Sequence, residues 1–427
     1  MPTPQKSLPA KKQPKPPTKP KPGNPKTPPS LPKTSNPIFG QPAPSPDPTG
    51  FKNPVTDQKD VGLQVVEAVP QPVNGAVEPV LTLAQVYGSQ GTTIVSNIQK
   101  AGQIVFHSVG DTGSAKGPAT QSLVADKMVT DFSETNSADV PSFFFHLGDL
   151  VYYFGESSYY YDQFFEPYRL YPAPIVAIPG NHDGVVYATD PEATLTAFLR
   201  NFCAPSFGLS PDAGGLLRST MIQPGVYFTF DCPFVRILGL YSNVLEDPGV
   251  ISDQSGTYKT LDSRQVDFLT AALKRVKSDN FTGAVIIAVH HPPFTGGSVH
   301  GGSPQMLADI DSACKSAGVW PHAVFSGHAH NYQRFTRTIN NLQIPFLVAG
   351  SGGHSPLSNM RSAYRTPYKI DNTLTLENYN TIEYGYMRVV VNATTLRIEF
   401  HTAASTGVGK TPIDSVSIDL ATHIIAG

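Results

Sequence analysis

Five short apolar runs in this chain end in side chains that bind metal ions or move protons. They close as Gly110-Asp111-Thr112-Gly113, Gly148-Asp149-Leu150-Val151-Tyr152, Gly180-Asn181-His182-Asp183, Val289-His290-His291 and Gly327-His328-Ala329-His330. Carboxylates, a phenol, an amide and imidazoles make a hard oxygen set mixed with nitrogen, which suits Fe, Mn or Zn rather than a thiolate-bound ion. Each residue has an ordinary explanation alone: Asp111 as a helix N-cap, Asn181 as a turn former, Tyr152 as a core aromatic, a single His as structural. Five such clusters in one chain point instead to a metal centre.

Two other chemistries share the first block. Asp111-Thr112-Gly113 spells the turn of an aspartic protease, but that mechanism pairs two carboxylates, and a second such triplet is absent. Gly110 to Gly117, with Lys116 inside, approaches a phosphate-cradling P-loop. Ala115 and Gly117 stand where that loop needs Gly and then Ser or Thr.

The elements that must position these residues are legible as period and texture. "GQIVFHSVGD", "SFFFHLGD", "APIVAIPGNHD", "GAVIIAVHH", "HAVFSGHAH" and "IPFLVAGSGGH" read as buried strands. "VYFTFD" and "FVRILGLYS" alternate as a pair around Cys232-Pro233, and 384–420 reads as further antiparallel strands. A helical run is expected near 119–132. "DSRQVDFLTAALKRVK" is an amphipathic helix with Val266, Leu269, Leu273 and Val276 on one face and a capping box from Asp262 and Gln265. The alternation predicts a layered α/β fold, sheets covered by helices, with its ligands gathered in loops after the carboxyl ends of strands.

Composition bounds the rest. A hydrophobic share of 40% furnishes a core, and the net charge of −2 hides a split. Residues 1–46 carry eight lysines and no acid, so the remainder carries about −10 (−2 minus +8), which argues against a nucleic-acid partner. Residues 1–50 hold 17 prolines and are expected to be a disordered Pro/Lys-rich tail, followed by a transition segment at 51–95 and a catalytic domain at 96–427. The tail reads as a solvated linker, or as a docking segment for an unknown partner. Three cysteines without a CxxC pair suggest free thiols, with a Cys203–Cys232 bridge as the alternative. No apolar run of about 18 residues is present, so no membrane span is expected. The first residues lack the apolar core of a secretory signal, which makes a cytoplasmic location the default unless export uses another route or a longer precursor.

The five blocks together resemble the calcineurin-like metallophosphoesterase superfamily, and within it the purple acid phosphatase branch, over roughly residues 103 to 355. Most superfamily members begin with Asp-x-His, whereas position 113 is Gly; the purple acid phosphatase version has GDxG and supplies a Tyr in GDxxY. Gly113 and Tyr152 are both halves of that exchange. The resemblance implies a layered β-sandwich flanked by helices, a first metal held by Asp111, Asp149, Tyr152 and His330, and a second held by Asp149, Asn181, His290 and His328. It implies Fe(III) at the first site and divalent Fe, Zn or Mn at the second. Five positive charges against two carboxylates, a phenolate and a hydroxide leave about +1, which attracts a phosphate dianion.

The implied function is hydrolysis of small phosphate monoesters by attack of a metal-bridging hydroxide, with His182 protonating the leaving group and His300 helping to bind phosphate. His291 is expected to pack or support a ligand, since neighbours on a strand face opposite ways. His354 is a further candidate from the next strand end. The larger members carry an N-terminal β-sandwich, whereas here only about 50 residues separate the expected tail from the first motif, and the loops 184–225 and 355–380 are expected to set leaving-group preference. Two alternatives stay open: a phosphodiesterase of the same superfamily acting on nucleotides or lipids, and a non-catalytic phosphate-binding or scaffold protein working through its tail.

Overall fold

Parallel strands need a crossover between them, and the chain alternates apolar runs with helices in the required order. In the computed structural model, which describes residues 62–63, 65–187, 192–254, 256–403 and 411–426, two mixed sheets result. The tail expected over 1–50 lies outside the described residues. Gln103–Val109, Phe144–His146 and Ile175–Ala177 are adjacent parallel strands at one side of a six-stranded sheet. Gly385–Asn392, Thr395–Thr402 and Asp414–Asp419 complete it in antiparallel fashion.

The second sheet has nine strands. Its centre is a parallel set, Leu342–Ala349, Ala323–Ser326, Ala284–Val289 and Val235–Leu240. Phe228–Cys232 joins Val235–Leu240 as the expected hairpin partner, and Val80–Thr82 forms the edge beyond it. The crossover helices are Arg264–Ser278 and Pro304–Ala317, which pack on each other and bury Leu269, Leu273, Val276, Ile310 and Cys314. Pro304 starts the second helix without needing a donor, and Ser303 Oγ accepts the Met306 N–H at 3.1 Å. The helix Ala119–Thr130 connects the first two parallel strands of the other sheet.

The inner faces meet through aromatic rings. Phe143 stands 5.0 Å from Phe230, and Tyr332 stacks on Phe400 at 3.9 Å, each pair crossing from one sheet to the other. This is the expected sandwich flanked by helices. Each inter-sheet ring pair adds about 0.5–1.5 kcal/mol beyond its buried area.

One local expectation fails. The capping box of Asp262 and Gln265 does not form: Gln265 is buried and instead bonds both polar backbone groups of Tyr241, at 2.8 Å each. Tyr241 follows the last residue of a strand and lacks a ladder partner, so its buried N–H and C=O outrank an exposed cap. Cys203, Cys232 and Cys314 are all free, as the sequence suggested, and the alternative Cys203–Cys232 bridge does not form.

Candidate metal centre

The parallel strands of both sheets point their carboxyl ends at one place, and short bonds stitch the loops there. Gly110 N–H donates to Ala349 O at 2.9 Å, Asp111 N–H to Gly148 O at 2.9 Å, and Gly327 N–H to His290 O at 2.9 Å. Asp111, Asp149 and His328 adopt left-handed backbone with φ of 57°, 56° and 67°. Non-glycine residues in that region are uncommon and cluster where a site needs a side chain aimed against the strand direction. Asp183 fixes the second turn: its carboxylate accepts from Asp149 N and Gly180 N at 2.8 Å and from Leu150 N at 2.9 Å. Gly180 is required for closeness, because a Cβ there would lie 2.1 Å from Asp149 Oδ1.

Two groups of ligand atoms result, and they meet at one oxygen. In the first, the Tyr152 hydroxyl is 2.8 Å from Asp149 Oδ2, 3.1 Å from Asp111 Oδ1 and 3.2 Å from His330 Nε2. In the second, Asn181 Oδ1 is 3.1 Å from His290 Nε2 and 3.2 Å from His328 Nδ1. His290 Nε2 is also 3.2 Å from Asp149 Oδ2. Thus Asp149 Oδ2 faces both groups, and all seven residues named from the sequence as ligands come together.

The chemistry of this donor set fits cations. His290 Nδ1 lies 2.8 Å from the Leu147 carbonyl, to which its N–H donates. With that N–H given to the carbonyl, Nε2 is the nitrogen that faces the Asn181 and Asp149 oxygens, and a cation, proton or metal, is needed between them. The electrostatics agree. Burial, partly offset by His290, pushes the Asp111 carboxyl up to about 8. Burial opposes charge on His290, yet Asp149 and Asp111 raise it to about 9, so a proton answers the anionic field. Burial and the two carboxylates hold the Tyr152 phenol well above its usual range. Burial and neighbouring imidazoles keep His328 and His330 neutral and able to donate lone pairs.

Around these ligands lies a histidine-rich pocket. His182 is fixed by its Nδ1, 3.0 Å from the Tyr153 carbonyl, which leaves Nε2 as the working nitrogen. The His300 ring is 4.2 Å from that of His328 and 5.3 Å from that of His330. His354 also reaches the site, its ring 4.0 Å from Tyr152 and 4.2 Å from His330. His291 is pinned on both nitrogens, 2.7 Å from Ser242 Oγ and 2.7 Å from Leu245 O, and backs His328.

Sequence reasoning missed two acids here. Glu246 Oε1 is 3.6 Å from His182 Nε2, and Asp247 Oδ1 is 3.7 Å from His328 Nε2. A signal existed: "NVLEDPG" follows the strand Val235–Leu240 at its carboxyl end, where the other site residues also lie.

Comparison with known proteins gives a consistent picture. The family model for calcineurin-like phosphoesterases matches residues 109–332. The chain is 27% identical over 184 residues to the probable purple acid phosphatase 20 of Arabidopsis thaliana, covering 41% of this chain and 38% of the relative. It is 31% identical over 134 residues to purple acid phosphatase 22 of the same plant, covering 27% of this chain and 30% of that one. The chain therefore spans less than half the length of these curated relatives. Among solved structures, the GAP50 anchor of the inner membrane complex of Plasmodium aligns with a TM-score of 0.50 at 16% identity, over 73% of this chain and 87% of that one. That likeness is one of fold.

Proposed function

Because the chain belongs to the calcineurin-like phosphoesterase family, we propose that it is a dinuclear metal-dependent phosphatase of the purple acid phosphatase branch, acting on phosphate monoesters. The observation that carries this reading is Asp149 Oδ2, which lies 2.8 Å from the Tyr152 hydroxyl and 3.2 Å from His290 Nε2. Asp111, Asp149, Tyr152 and His330 would hold Fe(III); Asp149, Asn181, His290 and His328 would hold a divalent ion. Such a pair supplies positive charge for the phosphoryl oxygens and acidifies a water that serves as nucleophile.

The chain's own part is positional. His182, held by the Tyr153 carbonyl, presents Nε2 to protonate the departing alkoxide. His300, buried against His328, is placed to hold a phosphoryl oxygen. The convergence of Asn181 and His290 with Asp149 and His328 favours the catalytic reading over a scaffold role.

The test is metal analysis with turnover of nitrophenyl phosphate and bis(nitrophenyl) phosphate. Two metals per chain and preference for the monoester are expected. A metal-loaded protein that cleaves only the diester would move the reading to a phosphodiesterase, and one that cleaves neither would end it.

A further inference from the structure

Among the acids around the metal centre, Glu246 has no role in the reaction as described. It is only 8% exposed, and its Oε1 makes no hydrogen bond among the described residues. Oε1 lies 3.6 Å from His182 Nε2, and Oε2 lies 3.9 Å from His300 Nδ1. A buried carboxylate oxygen without a donor is costly, and it persists where a ligand supplies the missing partner. The neighbouring Asp247 is already used: Oδ1 accepts the Gly301 N–H at 3.1 Å and faces His328 Nε2.

A third cation is one candidate for that partner, since Glu246, His300 and His328 offer ligand atoms within 4.8 Å of one another. The chemistry of His328 opposes it. Its Nδ1 faces Asn181 in the second ligand group, so in the neutral ring Nε2 carries the proton and turns it toward Asp247. A donor nitrogen is not a ligand.

Position identifies the partner better. His182 Nδ1 is taken by the Tyr153 carbonyl, so Nε2 is the nitrogen that faces the leaving oxygen. The Glu246 carboxylate next to that nitrogen therefore borders the alcohol, not the phosphoryl group. We propose that Glu246 is a specificity-determining residue that selects phosphate esters whose alcohol carries an ammonium or another hydrogen-bond donor, and disfavours anionic leaving groups. The proposal rests on the monoesterase reading above. A like charge beside a poorly solvated carboxylate is repelled and an opposite one attracted, and both effects act at the step His182 serves.

The experiment compares kcat/KM of the metal-loaded protein on O-phosphoethanolamine, glycerol 2-phosphate and pyrophosphate, whose leaving groups are cationic, neutral and anionic. Wild type should prefer phosphoethanolamine over pyrophosphate by at least about tenfold, and Glu246→Gln should shrink that ratio by at least about tenfold. Glu246→Asp, which withdraws the carboxylate by one carbon, should fall between. An unchanged ratio in both metal-loaded variants overturns the proposal alone. No turnover of any of the three by metal-loaded wild type overturns the monoesterase reading, and this proposal with it.

Discussion

The phenolic oxygen of Tyr152 stands 2.8 Å from Oδ2 of Asp149, the oxygen that His290 also approaches, at 3.2 Å. Protons on Tyr152 and His290 thus stand where a metal ion would otherwise sit. Displacing the Tyr152 proton with Fe(III) leaves a phenolate whose filled oxygen orbitals lie near empty iron orbitals, so visible light moves an electron from ligand to metal. Carboxylates and imidazoles give no such band. Tyr152→Phe keeps the buried ring and removes the oxygen. The iron-loaded variant should be colourless where the wild type absorbs. An iron-loaded wild type without a visible band that Tyr152→Phe abolishes would remove the protein from the purple acid phosphatase branch while leaving the family intact.

His182→Ala should keep both metals, because the contact to Asp149 Oδ1 comes from the His182 backbone N–H at 3.0 Å and survives truncation. Turnover of esters with poor leaving groups should fall by about two to four orders of magnitude, the usual scale of general acid catalysis. Nitrophenolate leaves without a proton, so the loss on nitrophenyl phosphate should be much smaller. Equal losses on both substrates would make His182 a binding residue instead.

Much of this centre was legible because its residues obey one rule: polar groups placed directly after buried strands. Asp111, Asp149, Asn181, His290 and His328 follow it, and so did the sandwich that carries them. Glu246 follows it too, but Asp and Glu before Pro-Gly look like ordinary turn chemistry, and nothing local tells that the turn folds back over His182. The helix cap at Asp262 was misread for a related reason. Whether Gln265 bonds its own helix or the Tyr241 backbone depends on a tertiary neighbour that period and propensity do not contain.

A buried network remote from the ligands should govern acid stability. His107 Nε2 lies 3.0 Å from Asp131 Oδ2, and the Tyr386 hydroxyl donates to the same oxygen at 2.8 Å. Burial would raise the Asp131 carboxyl, but these bonds hold it below its usual range, so its contribution is complete above that range and lost as pH falls through the folded value. Burial holds His107 below its usual 6.5, so below that pH the unfolded chain gains a proton that the fold refuses. Both signs point the same way but in different windows: His107 alone should lower the melting temperature between pH 7 and pH 5, and Asp131, held below the usual 3.8, adds to the fall only at lower pH. Asp131→Ala leaves two buried donors unpaired and should cost about 2–4 kcal/mol at pH 7 by denaturant titration. A flat melting temperature across that interval, or a cost near zero, would contradict this account.

Gly113 offers the closest test of how the first ligand group is built. A Cβ at this position would lie 2.5 Å from Leu150 O and 2.8 Å from Val151 Cα, both backbone atoms of the turn from Asp149 to Tyr152. That turn is bonded back to the same loop, with Thr112 N–H donating to Asp149 O at 3.1 Å. The exchange of a histidine at 113 for a tyrosine at 152 is therefore more than a swap of side chains, because the tyrosine-bearing turn occupies the space a side chain at 113 would need. Gly113→Ala should push the turn outward and carry the Tyr152 hydroxyl away from Asp111 and His330. Metal analysis should find the visible band and one metal equivalent lost, with the second equivalent kept by Asn181, His290 and His328. The double variant Gly113→His with Tyr152→Phe should not recover the first metal, since its Cβ meets the same backbone. A Gly113→Ala protein with two metals and an unaltered band would show that the turn yields freely, and that Gly113 is not what holds Tyr152 in place.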